Sequence, residues 1–155
     1  MKKLVFFILT MMLCVFFTEY VLAESASKEE VIAKCKEASQ LIQDRGMEAA
    51  SMSIGDKNGP FVWKDTYVFL MDMDGKMLAH PIKPELTERD NLLAVKDKAG
   101  KPFFLEFVEV AASKEAAGWV KYKWPKPGEE NPTLKNTYIL RVPGSLYFVG
   151  AGIYE

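Results

Sequence analysis

One histidine, His80, two cations near the C-terminal end, Lys135 and Arg141, and the rings of Tyr67, Phe69, Tyr122, Trp124 and Tyr138 are the side chains of this sequence best suited to act together on a small molecule. Imidazole, ammonium and guanidinium groups donate charge-assisted hydrogen bonds to carboxylates, and large rings exclude water around them. The set is suited to holding a small anion in one enclosed hollow. Each member also has a purely structural use. Rings fill cores, His80 stands before Pro81 where an imidazole can cap a hairpin, and an arginine on a strand usually reaches solvent.

Other chemistries lack their residues. A single histidine and two cysteines, Cys14 and Cys35, are too few for a zinc site. Asp72-Met73-Asp74-Gly75 resembles part of a calcium loop, but Leu70 stands where that pattern needs an oxygen ligand. No Gly-x-Ser-x-Gly elbow presents a nucleophile, and no helix follows Gly150 and Gly152 to cradle a phosphate. Cys35 recurs with Val31, Ala38 and Ile42 at helical spacing, which makes it a packed thiol. The expectation is a protein with no catalytic residue, no metal and no cofactor.

Residues 25–46 have the pattern of an amphipathic helix, with Ser27 as N-cap, Glu29 and Glu30 at the positive end of the dipole and Gly46 as its stop. A weaker helical piece over 47–53 runs into the turn cluster 55–60. Strands are expected at 66–71 and 77–80, joined by a hairpin whose turn holds Asp74-Gly75. Residues 85–97 form a polar loop with one helical turn, and the phenylalanines and valines of 103–112 suggest a strand. In 118–124 the alternation is clean. Lys121 and Lys123 mark the wet face, so Val120, Tyr122 and Trp124 point inward. Two last strands, 135–142 and 147–152, follow a polar loop. One long helix followed by five to six hairpin-linked strands is an α+β fold with an antiparallel sheet.

At the N-terminus, Met1-Lys2-Lys3, an apolar stretch from Leu4 to Phe17 and the small residue Ala23 have the layout of a secretory signal peptide cleaved after Ala23. The stretch falls short of the ~20 apolar residues that span a bilayer. Cleavage leaves residues 24–155, a normal length for one domain, in the periplasm or outside the cell. The chain carries 20 basic and 21 acidic residues, and the leader removes Lys2, Lys3 and Glu19. No basic excess remains to grip nucleic acid.

Tyr67 to Pro81, read as Y-V-F-L-M-D-M-D-G-K-M-L-A-H-P, resembles the signature of single Cache domains of the second type, the extracellular sensor modules of bacterial chemoreceptors and kinases. The likeness continues through Asn91-Leu92, residues 97–103, 118–122, 124–128, 135–138 and 150–154. It implies a PAS-like fold, a long N-terminal helix packed along an antiparallel sheet, with a ligand pocket between the sheet and the loops that cover it. It further implies a short carboxylate such as pyruvate, acetate or propionate, held by Tyr67, Phe69, His80, Trp119, Tyr122, Trp124, Lys135 and Tyr138. Trp119 shares its strand phase with Lys121 and Lys123, which sets it apart from the others. The chain ends at Glu155 without a second membrane segment or signalling region, so a separate membrane-bound receptor or kinase is expected to read the bound state. A homodimer through the N-terminal helix stays open. The alternative is a periplasmic interaction module whose pocket is vestigial and which docks to a membrane partner.

Overall fold

The computed structural model describes residues 24–155. The expected signal peptide, with Cys14 and the cleavage point, lies outside the described residues. Helix α1 (Lys28–Gly55) begins at a complete capping box. The Ser27 hydroxyl accepts the Glu30 N–H at 3.2 Å, and the Glu30 carboxylate accepts the Ser27 N–H at 2.8 Å. Gly46, at φ 79° and ψ 166°, kinks the helix where the sequence suggests a stop, so the two expected helical pieces run on as one kinked rod. Val31, Cys35, Ala38, Ile42, Ala50 and Ile54 form its buried stripe. Burial pushes the Cys35 thiol up to about 12, the behaviour of an inert packed group.

Six strands follow: β1 (Val62–Trp63), β2 (Thr66–Asp72), β3 (Met77–Ala79), β4 (Ala117–Pro125), β5 (Pro132–Arg141) and β6 (Tyr147–Tyr154). They form one antiparallel sheet in the order β1-β2-β6-β5-β4, with β3 also pairing to β2. The β2–β3 turn needs Gly75 at φ 88°, and a side chain there would also run into Leu93. The helical turn of the following loop lies at Pro84–Glu88, ahead of the apolar Leu92–Val95 insert.

Residues 103–112 correct the sequence reading. They form helix α2 (Phe103–Ala112), not a strand. The buried positions Phe103, Phe104, Phe107 and Ala111 fall at helical spacing, and that period outweighs the β-propensity of Phe and Val. Pro102 tolerates a place at the helix start, where its missing N–H breaks no bond. The sheet is therefore covered on both sides. α1 packs on the face bearing Val68, Leu70, Val149 and Ala151, and α2 on the face bearing Tyr67, Phe69, Tyr122 and Ile139.

The loop leading into α2 is fastened to the outer strand β4 by Asp97. Its Oδ1 accepts the N–H groups of Ala99 and Lys101, its Oδ2 accepts that of Lys123, and the Lys101 ammonium donates to the Lys121 carbonyl. Among the described residues no helix is long and apolar enough to cross a membrane.

Candidate functional site

Strand alternation sorts the candidate residues by face. On β2, Tyr67 and Phe69 point toward α2, as do Tyr122 and Trp124 on β4. They meet Phe103, Phe104 and Phe107 of α2 in a continuous ring cluster. Phe103 stacks on Tyr122 at 4.3 Å between centroids, and Phe69 on Phe107 at 5.5 Å. His80, just past β3, closes the cluster at 4.7 Å from the Tyr67 ring and 6.4 Å from that of Trp124.

A cavity of about 10 Å³ lies among Tyr67, Phe69, Met77, His80, Phe103, Phe104, Phe107, Tyr122 and Trp124. That is room for about one water molecule. Seating a carboxylate requires side chains of the wall to shift, a common scale of adjustment on binding. The hollow anticipated from sequence is thus present but smaller than a ligand.

The His80 imidazole is oriented by its own loop. Its Nδ1 accepts the Lys83 N–H at 2.9 Å and the Ile82 N–H at 3.3 Å, which leaves the proton on Nε2, a donor with no acceptor among the described residues. Burial, with the charges of Lys135 and Lys83, pushes its pKa down to about 3. The ring is neutral at physiological pH and has one N–H available to donate without carrying charge. Trp124 Nε1 donates to the Tyr67 hydroxyl at 2.9 Å, and the Tyr122 hydroxyl pairs with Thr137 Oγ1 at 3.1 Å. Burial holds both phenols well above their ordinary pKa, so the walls stay uncharged.

Lys135 projects from β5 on the same face and is fully buried. Its Nζ has no hydrogen-bond partner among the described residues. It rests over the Tyr67 ring at 4.0 Å and the Tyr154 ring at 4.8 Å, in a space that Gly152 leaves free. The amine stands one ring behind the cavity wall rather than in it, a difference from the sequence reading, which grouped it with the lining residues. Burial pushes its pKa down to about 7, opposed in part by the nearby Asp65 carboxylate. The two ring faces also favour the cation.

Two expected site residues and one candidate donor lie elsewhere. Trp119 and Tyr138 face each other across β4 and β5 on the opposite side of the sheet, 5.2 Å apart, packed against the α1 layer. Tyr138 cannot share a face with Lys135, three residues away on one strand, because side chains alternate. Arg141 donates through Nε and Nη2 to the Ser145 carbonyl and so braces the β5–β6 hairpin. In their place the structure supplies Met77 and the three phenylalanines of α2. Their helical spacing was the available signal. Thr137 and Tyr154 join them by alternating in phase with Lys135 and Gly152.

Residues 57–155 match the family model described as Cache domain. The methyl-accepting chemotaxis protein McpP of Pseudomonas putida is 38% identical over 90 residues, 58% of this chain and 16% of McpP. The sensor histidine kinase MctS of Rhizobium johnstonii is 30% identical over 91 residues, 59% of this chain and 19% of the kinase. This chain thus spans less than a fifth of the length of either relative. Among solved structures, a Cache chemosensory domain described for carboxylic acid recognition aligns at a TM-score of 0.67 with 29% identity, covering 81% of this chain and 91% of that one. A methyl-accepting chemotaxis protein from Vibrio parahaemolyticus aligns at 0.68 with 25% identity, covering 82% and 87%.

Proposed function

Because this chain belongs to the Cache domain family, we propose that it is an exported sensor module that binds a short carboxylate of the pyruvate, acetate or propionate class without turning it over. The observation that carries the reading is Lys135, a fully buried amine with no hydrogen-bond partner among the described residues, directly behind a ring-walled cavity. Burying such a group costs several kcal/mol unless something pairs with it. A carboxylate that displaces the Tyr67 ring reaches Lys135 Nζ and His80 Nε2–H together, one charged donor and one neutral. Because a cavity of about 10 Å³ opens only as far as its ring walls shift, a short carbon chain is favoured over a long one. The solved Cache domain described for carboxylic acid recognition supports the same ligand class.

Thermal unfolding of the purified protein against a panel of acetate, propionate, pyruvate and longer acids tests this. A ligand at a hundred times its Kd stabilises the folded state by about 2.7 kcal/mol. The short acids should therefore raise the Tm by several degrees and the long ones should not. A flat response to the whole panel sinks the reading.

A second reading has one observation in its favour. A cavity of about 10 Å³ also suits a domain whose pocket is vestigial and whose surface docks to a membrane receptor or kinase. The acid panel separates the two. Export itself rests on the basic and apolar leader in the sequence. An intact mass beginning at Glu24 for protein recovered outside the cytoplasm is the expected result, and a mass that retains residues 1–23 contradicts it.

A further inference from the structure

We propose that anion capture at this site is coupled to proton uptake by Lys135, the buried amine with no hydrogen-bond partner among the described residues, which is held as an ammonium once the carboxylate arrives. The inference rests on the carboxylate-binding reading above and adds a regulation to it: the domain reads the concentration of the acid and the acidity of its surroundings as one signal.

The surroundings of the amine carry the argument. β2 presents Tyr67 to it, β6 presents Tyr154, and β4 presents Tyr122, all phenols that burial keeps protonated. The turn between β1 and β2 contributes Asp65, and the segment after β3 contributes His80, with Lys83 beyond it. Of these groups only Asp65 is anionic. Its Oδ1 is occupied by the Ala26 N–H at 2.9 Å, and it makes no ion pair with Lys135 among the described residues. The ammonium thus has two ring faces and one carboxylate, nearby but outside ion-pair contact and with its own Oδ2 left without a partner, to offset the loss of water, and its pKa falls to about 7. A ligand carboxylate placed against Nζ supplies the missing counter-charge and drives the pKa back up. The balance is simple. The acid enters as its anion, one proton comes from solvent, and the site holds an ammonium–carboxylate pair.

Calorimetric titration with pyruvate, acetate and propionate at pH 8, in buffers of different ionisation enthalpy, measures the coupling. The expected result is an observed enthalpy that varies linearly with the buffer's, with a slope of about one proton taken up per anion bound. At pH 5.5, where the free amine is already protonated, the slope should fall toward zero. Between those limits the affinity should weaken by up to about tenfold per pH unit as pH rises.

Cε-labelled lysine NMR should show one signal titrating near pH 7 in the free protein and well above it with the acid bound. A signal whose midpoint does not move on binding overturns the inference. Heat that is identical in all buffers at pH 8 overturns the proton coupling while leaving carboxylate binding in place. No heat with any acid overturns both.

Discussion

Lys135→Met should make the folded protein more stable and remove its response to short acids. In the native protein the amine is held near pKa 7, against an ordinary value of 10.5. Below pH 7 both the folded and unfolded chains carry the proton, and the full cost of the buried charge is present. Between pH 7 and 10.5 the unfolded chain keeps a proton that the folded chain has released, so native stability climbs with pH. Above 10.5 the charge cost is gone and only an unpaired neutral amine remains.

At about 1.4 kcal/mol per unit of pKa difference, methionine at this position should add on the order of 5 kcal/mol at pH 6 and progressively less toward pH 10. Met fits the same channel between Tyr67 and Tyr154, with favourable sulfur–ring contacts. Urea unfolding of both proteins from pH 6 to 10 measures the gain, and the acid panel measures the lost response. A Met variant less stable than the parent at pH 6 would mean that Lys135 is already paired in solution. A stabilising change that abolishes binding is the signature of a residue kept for function.

Gly152→Ala should act in the opposite direction. Gly152 pairs with Thr137 in the β5–β6 ladder, and a Cβ built on it falls 2.8 Å from the Asn136 carbonyl oxygen and 2.8 Å from Lys135 Cε, with Thr137 Oγ1 closer still. A lysine tip can move aside. The Asn136 carbonyl belongs to the neighbouring strand, and moving it pulls the ladder apart. Thr66 also donates its hydroxyl to the Gly152 carbonyl, which fixes β6 against β2.

Overpacking usually costs about 1–3 kcal/mol, and this site should fall at or beyond the upper end because backbone must yield. Gly150→Ala offers the contrast. There the clash is with the tips of the Phe69 and Ile139 side chains, which can turn, at the expense of the cavity that Phe69 lines. Urea midpoints should rank the parent above Gly150→Ala and Gly150→Ala above Gly152→Ala. A Gly152→Ala protein within about 0.5 kcal/mol of the parent, the range of ordinary surface changes, would show that the strands separate more easily than their contacts indicate.

Local rules were enough to read the frame of this fold. The Ser27 cap, the break at Gly46, the Asp72–Lys76 turn and the wet lysines of β4 each follow from chemistry confined to a few neighbours. Helix α2 was missed because Phe and Val were weighed for β-propensity, while the spacing of Phe103, Phe107 and Ala111 already pointed to a helix.

The site was half legible for a related reason. Tyr67, Phe69, Tyr122, Trp124 and Lys135 share a sheet face because their positions agree in parity along their strands, and His80 joins them from the segment after β3. Trp119 and Tyr138 fail the same parity rule, and Tyr138 could have been set aside from its distance to Lys135 alone. What no strand pattern carries is depth. That Lys135 sits behind Tyr67 depends on how ring planes tilt across three strands and a helix, and that is set by packing rather than by order in the chain.

The fastening of β4 by Asp97 and Lys101 has a consequence for the company this protein keeps. An outermost strand with bare amides and carbonyls is a template on which a second chain can crystallise into a growing ribbon. Here the Lys123 amide and the Lys121 carbonyl are already taken by side chains of the preceding loop, and both lysines are exposed on that strand, Lys121 paired with Glu155 at 2.8 Å. The domain is thereby closed to fibre growth along that stretch of β4.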